Sequence, residues 1–509
     1  MALLLGIDIG TTGAKTLLCD EQGKVLGTAT AEYPLHTPFP LWSEQNPADW
    51  WRGARESIRA VIAQAGVDGK TVAGLGLTGQ MHGAVFLDKN AEVIRPALLW
   101  NDQRTAAECE EITRRVGAAR LIEIAGNPAL TGFQAPKILW LRNHEPENYV
   151  RLAQVLLPKD YIRFRLTGER AADASDAAGT LLLDLRQRDY SDTILDKLEI
   201  RREWLPRVVE GPDVTGSLLP EVAAELGLPA GLPVIAGGGD NAAAAVGTGV
   251  VRTGVVSSSI GTSGVLFAHS DNIALDPQGR LHTFCHAVPQ KYHMMAVTLS
   301  AGGAFRWLRD VLEFRHADFG MRNADLRFPY DQLTAMAAAV PPGAEGLLFL
   351  PYLTGERTPH LDPLARGAFV GLTARHTTAH LIRAVMEGVV YSLRDGLDIM
   401  RGLNVPIEQI RATGGGARSA LWRQMQADIY GAEVVTLSAE EGPAYGAALL
   451  AGVGTGLFAS VADAVDQCVS IAGRTPPAST TQPHYEKAYV IYRELYGMLR
   501  PSMHQLAKL

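Results

Sequence analysis

The sequence predicts an α/β chain of two similar domains, each a sheet with flanking helices, and three observations carry that prediction. First, "GIDIGTTGAKTLL" at 6–18 is echoed by "SSSIGTSGVLFA" at 257–268. In both, an apolar or β-prone run meets Gly-Thr-Thr/Ser-Gly and turns back into another, the pattern of two strands joined by a short turn. Second, "VAGLGLTGQMHG" at 72–83 and "IRATGGGARS" at 410–419 each carry a β-prone segment into glycines, at a comparable stage of their halves. Third, "APKILWLRNHEP" at 135–146 and "LIRAVMEGVVYSLRDGLDIM" at 381–400 repeat apolar residues at intervals of three and four, as helices do. Strand hairpins mixed with such helices give a layered α/β architecture.

Taken in chain order, the two Gly-Thr turns lie about half of the 509 residues apart, which places domains at 1–245 and 246–509. "LPVIAGGGDNAAAAVGTGV" at 232–250 is the expected passage between them, and the cleft they enclose is the default ligand site. From Arg474 a Pro/Ser/Thr-rich linker leads to a terminal helix, "YEKAYVIYRELYGMLR", that reads as packing rather than chemistry.

Composition bounds the function. Hydrophobic residues make up 47% and charged residues 20%, the balance of a globular enzyme. The net charge is −7 with no long run of Lys or Arg, which argues against nucleic acid as partner and for a small substrate. Cys19, Cys109, Cys285 and Cys468 lie far apart and form no CxxC, as in a reducing compartment. The first residues lack the basic start of a signal peptide and no stretch approaches the roughly 20 apolar residues of a membrane span, so the expected location is cytoplasmic, with no membrane partner.

The chemistry gathers at a few places. The Gly-Thr-Thr-Gly and Gly-Thr-Ser-Gly turns can aim backbone N–H groups and hydroxyls in one direction, as phosphate oxygens require. Neither matches a Walker A loop or a dinucleotide GxGxxG. Asp8 interrupts an apolar strand, and burying a carboxylate is costly unless something compensates it. A hydrated Mg²⁺ beside ATP phosphates would do so, since magnesium often takes only one or two carboxylates. Lys15 is either added charge for phosphate or a solvated hairpin residue. Asp240 follows three glycines and opens a plausible helix, where the dipole favours its charged form and readies it to take a hydroxyl proton; the glycines suggest a sharp turn beside a ligand. Met81 and His82 follow a strand, and Trp100 with Asp102 can stack on a sugar and take its hydroxyls. His282, Cys285, His286 and His293 fit no common zinc spacing. Ser419, after Gly414 to Gly416, reads as the N-cap of a helix closed by Gly431, with room for a base or ribose against the glycines.

These segments, with "GFQAPKILWLRNH" at 132–144 and "TGGGARSALWRQMQADI" at 413–429, resemble the FGGY carbohydrate kinases of the actin, Hsp70 and sugar kinase superfamily. The resemblance runs nearly end to end and implies two RNase H-like domains around an ATP and sugar cleft. "PLWSEQNPADWW", "LLWNDQR", "LLPKDYIRFRLTGE", "SDAAGT" and "LPYLTGERTPH" point within it to kinases of D-xylulose, phosphorylated at the 5-hydroxyl. By resemblance Asp240 is the proton acceptor and Asp8 organises Mg-ATP. Met81, His82, Asp240 and Asn241 contact the sugar, and Trp100 and Asp102 are added on chemical grounds. Thr11, Thr12 and Lys15, with Gly261, Thr262 and Ser263, would hold phosphates, while Gly415, Gly416 and Ser419 face adenosine; several relatives carry Asn where Ser419 stands. The Arg-Glu pair of glycerol kinases is replaced here by Met81-His82, which favours a ketose. Other ketopentose or deoxy-ketose kinases and an actin- or Hsp70-like ATPase are the alternatives, and a homodimer is compatible with the family.

Overall fold

The computed structural model describes residues 2–317, 330–439 and 441–509. Two mixed sheets dominate it. Strands β1 (Leu3–Ile9), β2 (Gly13–Asp20), β3 (Val25–Glu32), β4 (Val72–Gly79), β5 (Val214–Ser217) and β6 (Pro233–Gly239) form the first, in the order β5-β6-β4-β1-β2-β3. The second uses β7 (Gly254–Ile260), β8 (Gly264–Ser270), β9 (His282–Cys285), β10 (Tyr292–Thr298), β11 (Ile407–Gly414), β12 (Glu433–Leu437) and β13 (Ile471–Thr475), in the order β9-β10-β8-β7-β11-β12-β13.

The internal repeat extends well beyond the turns. In each sheet an antiparallel hairpin, β1-β2 or β7-β8, continues on one side into a third antiparallel strand. On the other side it continues into two parallel strands and one antiparallel edge strand. The central strands need to be apolar on both faces because helices cover both sides, and β1 is buried at six of its seven positions.

The halves do not part at a linker. The expected boundary at 245/246 falls inside helix α3 (Asp240–Gly247), which follows α1 (Pro47–Ala65) and α2 (Ala174–Ala178) in the first half. After α4 (Gly302–Ala317), α5 (Thr378–Gly402) and α6 (Ala420–Tyr430) comes α7 (Gly442–Gly454), which returns to pack on β1 and β4 of the first sheet and on α3. Leu4, Leu17 and Ile235 share a core there with Ala444 and Leu449. Backbone contact makes this crossing possible: a Cβ on Gly446 would lie 1.8 Å from the Ala243 carbonyl oxygen, and one on Gly6 1.8 Å from that of Ala444.

The terminal helix α8 (Gln482–Leu506) buries Tyr485, Tyr489 and Tyr492 on one stripe, the packing role expected of it. The linker before it is shorter than the sequence suggests, because Arg474 and Thr475 close β13. Among the described residues no helix is long and apolar enough to cross a membrane. Gly446→Ala is expected to force α3 and α7 apart and destabilise the fold by roughly 1–3 kcal/mol or more, read as a lowered thermal midpoint; an unchanged midpoint would show that the crossing yields freely.

Candidate active site

Parallel strands gather ligand groups at their C-terminal ends, and here that edge carries two carboxylates. Asp8 lies on β1 opposite Thr78 of β4, and Gly238 and Gly239 of β6 flank the same strand from the other side. Asp240 follows directly, so the two carboxylates stand on either side of one intervening strand, roughly 10 Å apart in backbone terms. Both are half-buried, and that burial shifts both upward. Burial, then the neighbouring Asp240, push Asp8 up to about 7, while Lys15 pulls the other way. Burial raises Asp240 to about 6, against two hydrogen bonds that Asn241 donates to its Oδ1 from the backbone N (2.7 Å) and Nδ2 (2.9 Å). This reverses the expectation that the helix terminus would hold Asp240 below its ordinary value: desolvation outweighs a dipole effect of about 1 kcal/mol. Gly239, not Asp240, caps α3.

The three glycines before Asp240 answer to the sheet. Gly237 has φ +78° beside the irregular pairing of β6 with β4, and a Cβ on it would lie 1.6 Å from the Leu77 carbonyl oxygen. Gly239 makes room for Met81, whose side chain also lies beside Gly179. His82 takes a left-handed φ of 68°, held there by Lys137, whose Nζ donates to the carbonyls of His82 (2.8 Å) and Gly132 (2.7 Å). Its Nδ1 lies 2.6 Å from the Gly179 carbonyl, which can only accept, so Nδ1 carries the hydrogen. Burial pushes His82 down to about 3, so the ring is neutral and Nε2 is an acceptor.

The first Gly-Thr turn is held from behind. The Gly10 carbonyl accepts from Tyr33 Oη (2.6 Å) and Gln80 Nε2 (3.3 Å), that of Thr11 from Gln45 Nε2 (2.7 Å), and that of Thr12 from the Tyr33 amide (3.3 Å). Gln45 Oε1 in turn accepts from Trp50 Nε1 and Gln80 Nε2. With three carbonyls drawn inward, the amides of Thr11 and Thr12 take no partner among the described residues, which suits an anion. Trp100 is 46% exposed and donates from Nε1 to Thr11 Oγ1 at 3.0 Å, so it braces the first Gly-Thr turn.

The second turn faces a cavity of about 500 Å³ in the second half, lined by Gly261, Thr262, Gly415, Gly416, Ser419, Phe305 and Trp422. The Thr262 carbonyl accepts from Ala301 and Gly303 at the start of α4. Ser419 caps α6, its Oγ accepting from Trp422 N at 3.2 Å. Ser263 belongs to the turn but does not line this cavity.

Two expected site residues are engaged elsewhere. Asp102 is fully buried and accepts from Ser43 N and from the Arg104 backbone and guanidinium, so it has nothing left for a sugar. Lys15, expected at the phosphates, pairs with Glu441 of the second half at 2.9 Å. His282 Nδ1 meets Asn127 Oδ1, His286 Nε2 the Val250 carbonyl, and among the described residues no group of three or more His, Cys, Asp or Glu could hold a metal. A single-carboxylate site is a different matter: Asp8 Oδ1 is buried without a hydrogen-bond partner, as an oxygen facing a hydrated divalent cation would be.

The FGGY carbohydrate kinase N-terminal domain model matches residues 3–247 and the C-terminal domain model residues 256–455. The chain belongs to the FGGY family of carbohydrate kinases. Among FGGY kinases it is 43% identical to a xylulose kinase of Escherichia coli K12, over 98% of this chain and all of that one. It is 39% identical to one of Bacillus subtilis 168, over 97% of each. A solved xylulose kinase from Rhodospirillum rubrum superposes with a TM-score of 0.91 at 31% identity, covering 99% of this chain and all of that one. The chain is thus an ATP-dependent sugar kinase of two α/β domains.

For an FGGY kinase the supports matter as much as the contacts, and Gln45, Gln80, Tyr33 and Lys137 are absent from the sequence-based set. Gln80 sits inside "GQMHG" and Gln45 inside the polar run Ser43-Glu44-Gln45-Asn46, where nothing local distinguishes a turn support from a solvated residue. Gln45→Leu should free the Thr11 carbonyl and lower kcat by roughly 10- to 100-fold with the circular dichroism spectrum intact; a wild-type rate would mean the turn needs no brace.

Proposed function

We propose that this FGGY kinase transfers the γ-phosphoryl group of ATP to the 5-hydroxyl of D-xylulose, with Asp240 as the general base. The observation that carries the reading is the pair of half-buried carboxylates, Asp8 and Asp240, both shifted upward and set beside a braced Gly-Thr turn. The sugar's identity is supported by the xylulose kinases that match almost the whole chain.

Asp240, at about 6, is largely ionised at neutral pH, and the two bonds from Asn241 hold one oxygen still. The other oxygen takes the hydroxyl proton as the sugar oxygen bonds to phosphorus and ADP leaves. Met81 and His82 seat the sugar, His82 Nε2 accepting from one of its hydroxyls. The amides of Thr11 and Thr12 and the Thr262 turn receive phosphate oxygens, and Gly415, Gly416 and Ser419 receive adenosine. Mg²⁺, held through water by Asp8, would neutralise phosphate charge. Most of the rate comes from such positioning, since phosphoryl transfer asks little covalent chemistry of the protein.

Asp240→Asn should lower kcat by roughly 100-fold or more while ATP affinity stays near wild type; an unchanged kcat removes Asp240 from the mechanism. In a coupled assay over a panel of ketoses and polyols, ADP release should depend on sugar and be fastest with D-xylulose. Equal release without any sugar would favour an ATPase.

A further inference from the structure

One cation near the sugar site has no assigned task. Arg357 sits in the loop that follows "LPYLTGE" in the second half, and its backbone is pinned on both sides. The buried carboxylate of Glu356 accepts from Thr298 Oγ1 (2.6 Å), Leu299 N (3.0 Å) and Arg357 N (2.7 Å). Thr358 exchanges hydrogen bonds with Val297, N to O at 3.0 Å and Oγ1 from N at 3.2 Å, and its Oγ1 donates to the Arg280 carbonyl at 2.8 Å. Arg357 is therefore fixed beside the end of β10 and, through Thr358, beside Arg280, which precedes His282 of β9 by two residues.

Its side chain is half-buried, yet among the described residues no carboxylate or carbonyl pairs with the guanidinium. The neighbouring Glu356 offsets part of the charge without a hydrogen bond to the guanidinium, and a half-buried cation with free donors is one that ligands commonly complete. The guanidinium lies within electrostatic reach of His82 and His282, since its charge helps keep both rings neutral. Those rings belong to one wall: His82 contacts Phe133 at 4.7 Å between ring centres, Phe133 contacts His282 at 6.1 Å, and His282 stacks on Phe284 at 5.7 Å. The wall joins the two halves, with His82 and Phe133 from the first and His282, Phe284 and Arg357 from the second.

We propose that Arg357 is a sugar-binding residue, donating from the second half to oxygens of the sugar seated on His82 and so coupling sugar occupancy to closure of the two halves. The chemistry selects a neutral hydroxylated ligand. His82 Nε2 only accepts and a guanidinium only donates; a hydroxyl does both and can bridge them, whereas a phosphate has no ready proton for His82. The proposal rests on the sugar kinase reading of this cleft and adds a contact from the half that otherwise holds nucleotide.

The test is equilibrium binding by calorimetry on the full chain without nucleotide, with D-xylulose, D-ribulose and D-gluconate as probes and ADP as the control for folding. Arg357→Met should weaken D-xylulose binding by roughly ten- to a hundredfold and leave ADP affinity unchanged. Wild-type D-xylulose affinity in that variant overturns the proposal. Should Arg357→Met lose ADP affinity too, Arg357→Lys decides: weakened sugar with intact ADP binding supports the role, and unchanged sugar binding refutes it. If the wild type prefers another probe, the D-xylulose assignment falls, and the same ratio on the preferred sugar still decides for or against Arg357.

Discussion

Everything at this site depends on holding two carboxylates half-buried at the edge of one sheet. Asp8 and Asp240 flank β4, and burial raises both well above the ordinary aspartate value. A protein tolerates such groups when substrate, metal or proton is to compensate them. The surrounding structure places the pair: α3 starts at Asp240, α7 crosses α3 at Gly446, and β1 carries Asp8 into the first Gly-Thr turn.

The two halves contribute unequal parts. The first supplies the carboxylates, the neutral His82 and a turn whose carbonyls are tied back by Gln45, Gln80 and Tyr33. The second supplies the cavity beside Thr262 and Ser419. Lys15 and Glu441 span the halves through an ion pair whose side chains are 34% and 32% exposed, so it contributes no more than about 1 kcal/mol. Packing holds the halves together instead: α7 lies on α3, and Phe267, Phe284 and Met295 share a core with Phe133 and Leu185.

Much of this was legible in the sequence wherever the signal was local. Gly-Thr turns repeated at half the chain length announced the paired sheets, and a lone Asp in an apolar strand announced Asp8. Contacts between distant segments left no such mark. Nothing in "GPAYGAALLAGVG" says that a helix of the second half packs on the first sheet, although its small residues are what permit it. Asp102 looked free because its partners include Ser43, far back in the chain. The glycines at 237–239 looked like a ligand turn, yet Leu77 and Met81 are what occupy the space beside them.

The central claim concerns the ionisation of Asp240, and a direct titration tests it most sharply. Carboxyl ¹³C NMR of the unliganded protein, with the Asp240 signal assigned by its loss in Asp240→Asn, should give a midpoint near 6, as burial against Asn241 requires. A midpoint at the ordinary aspartate value of 3.8 would mean a solvated carboxylate and would contradict the account.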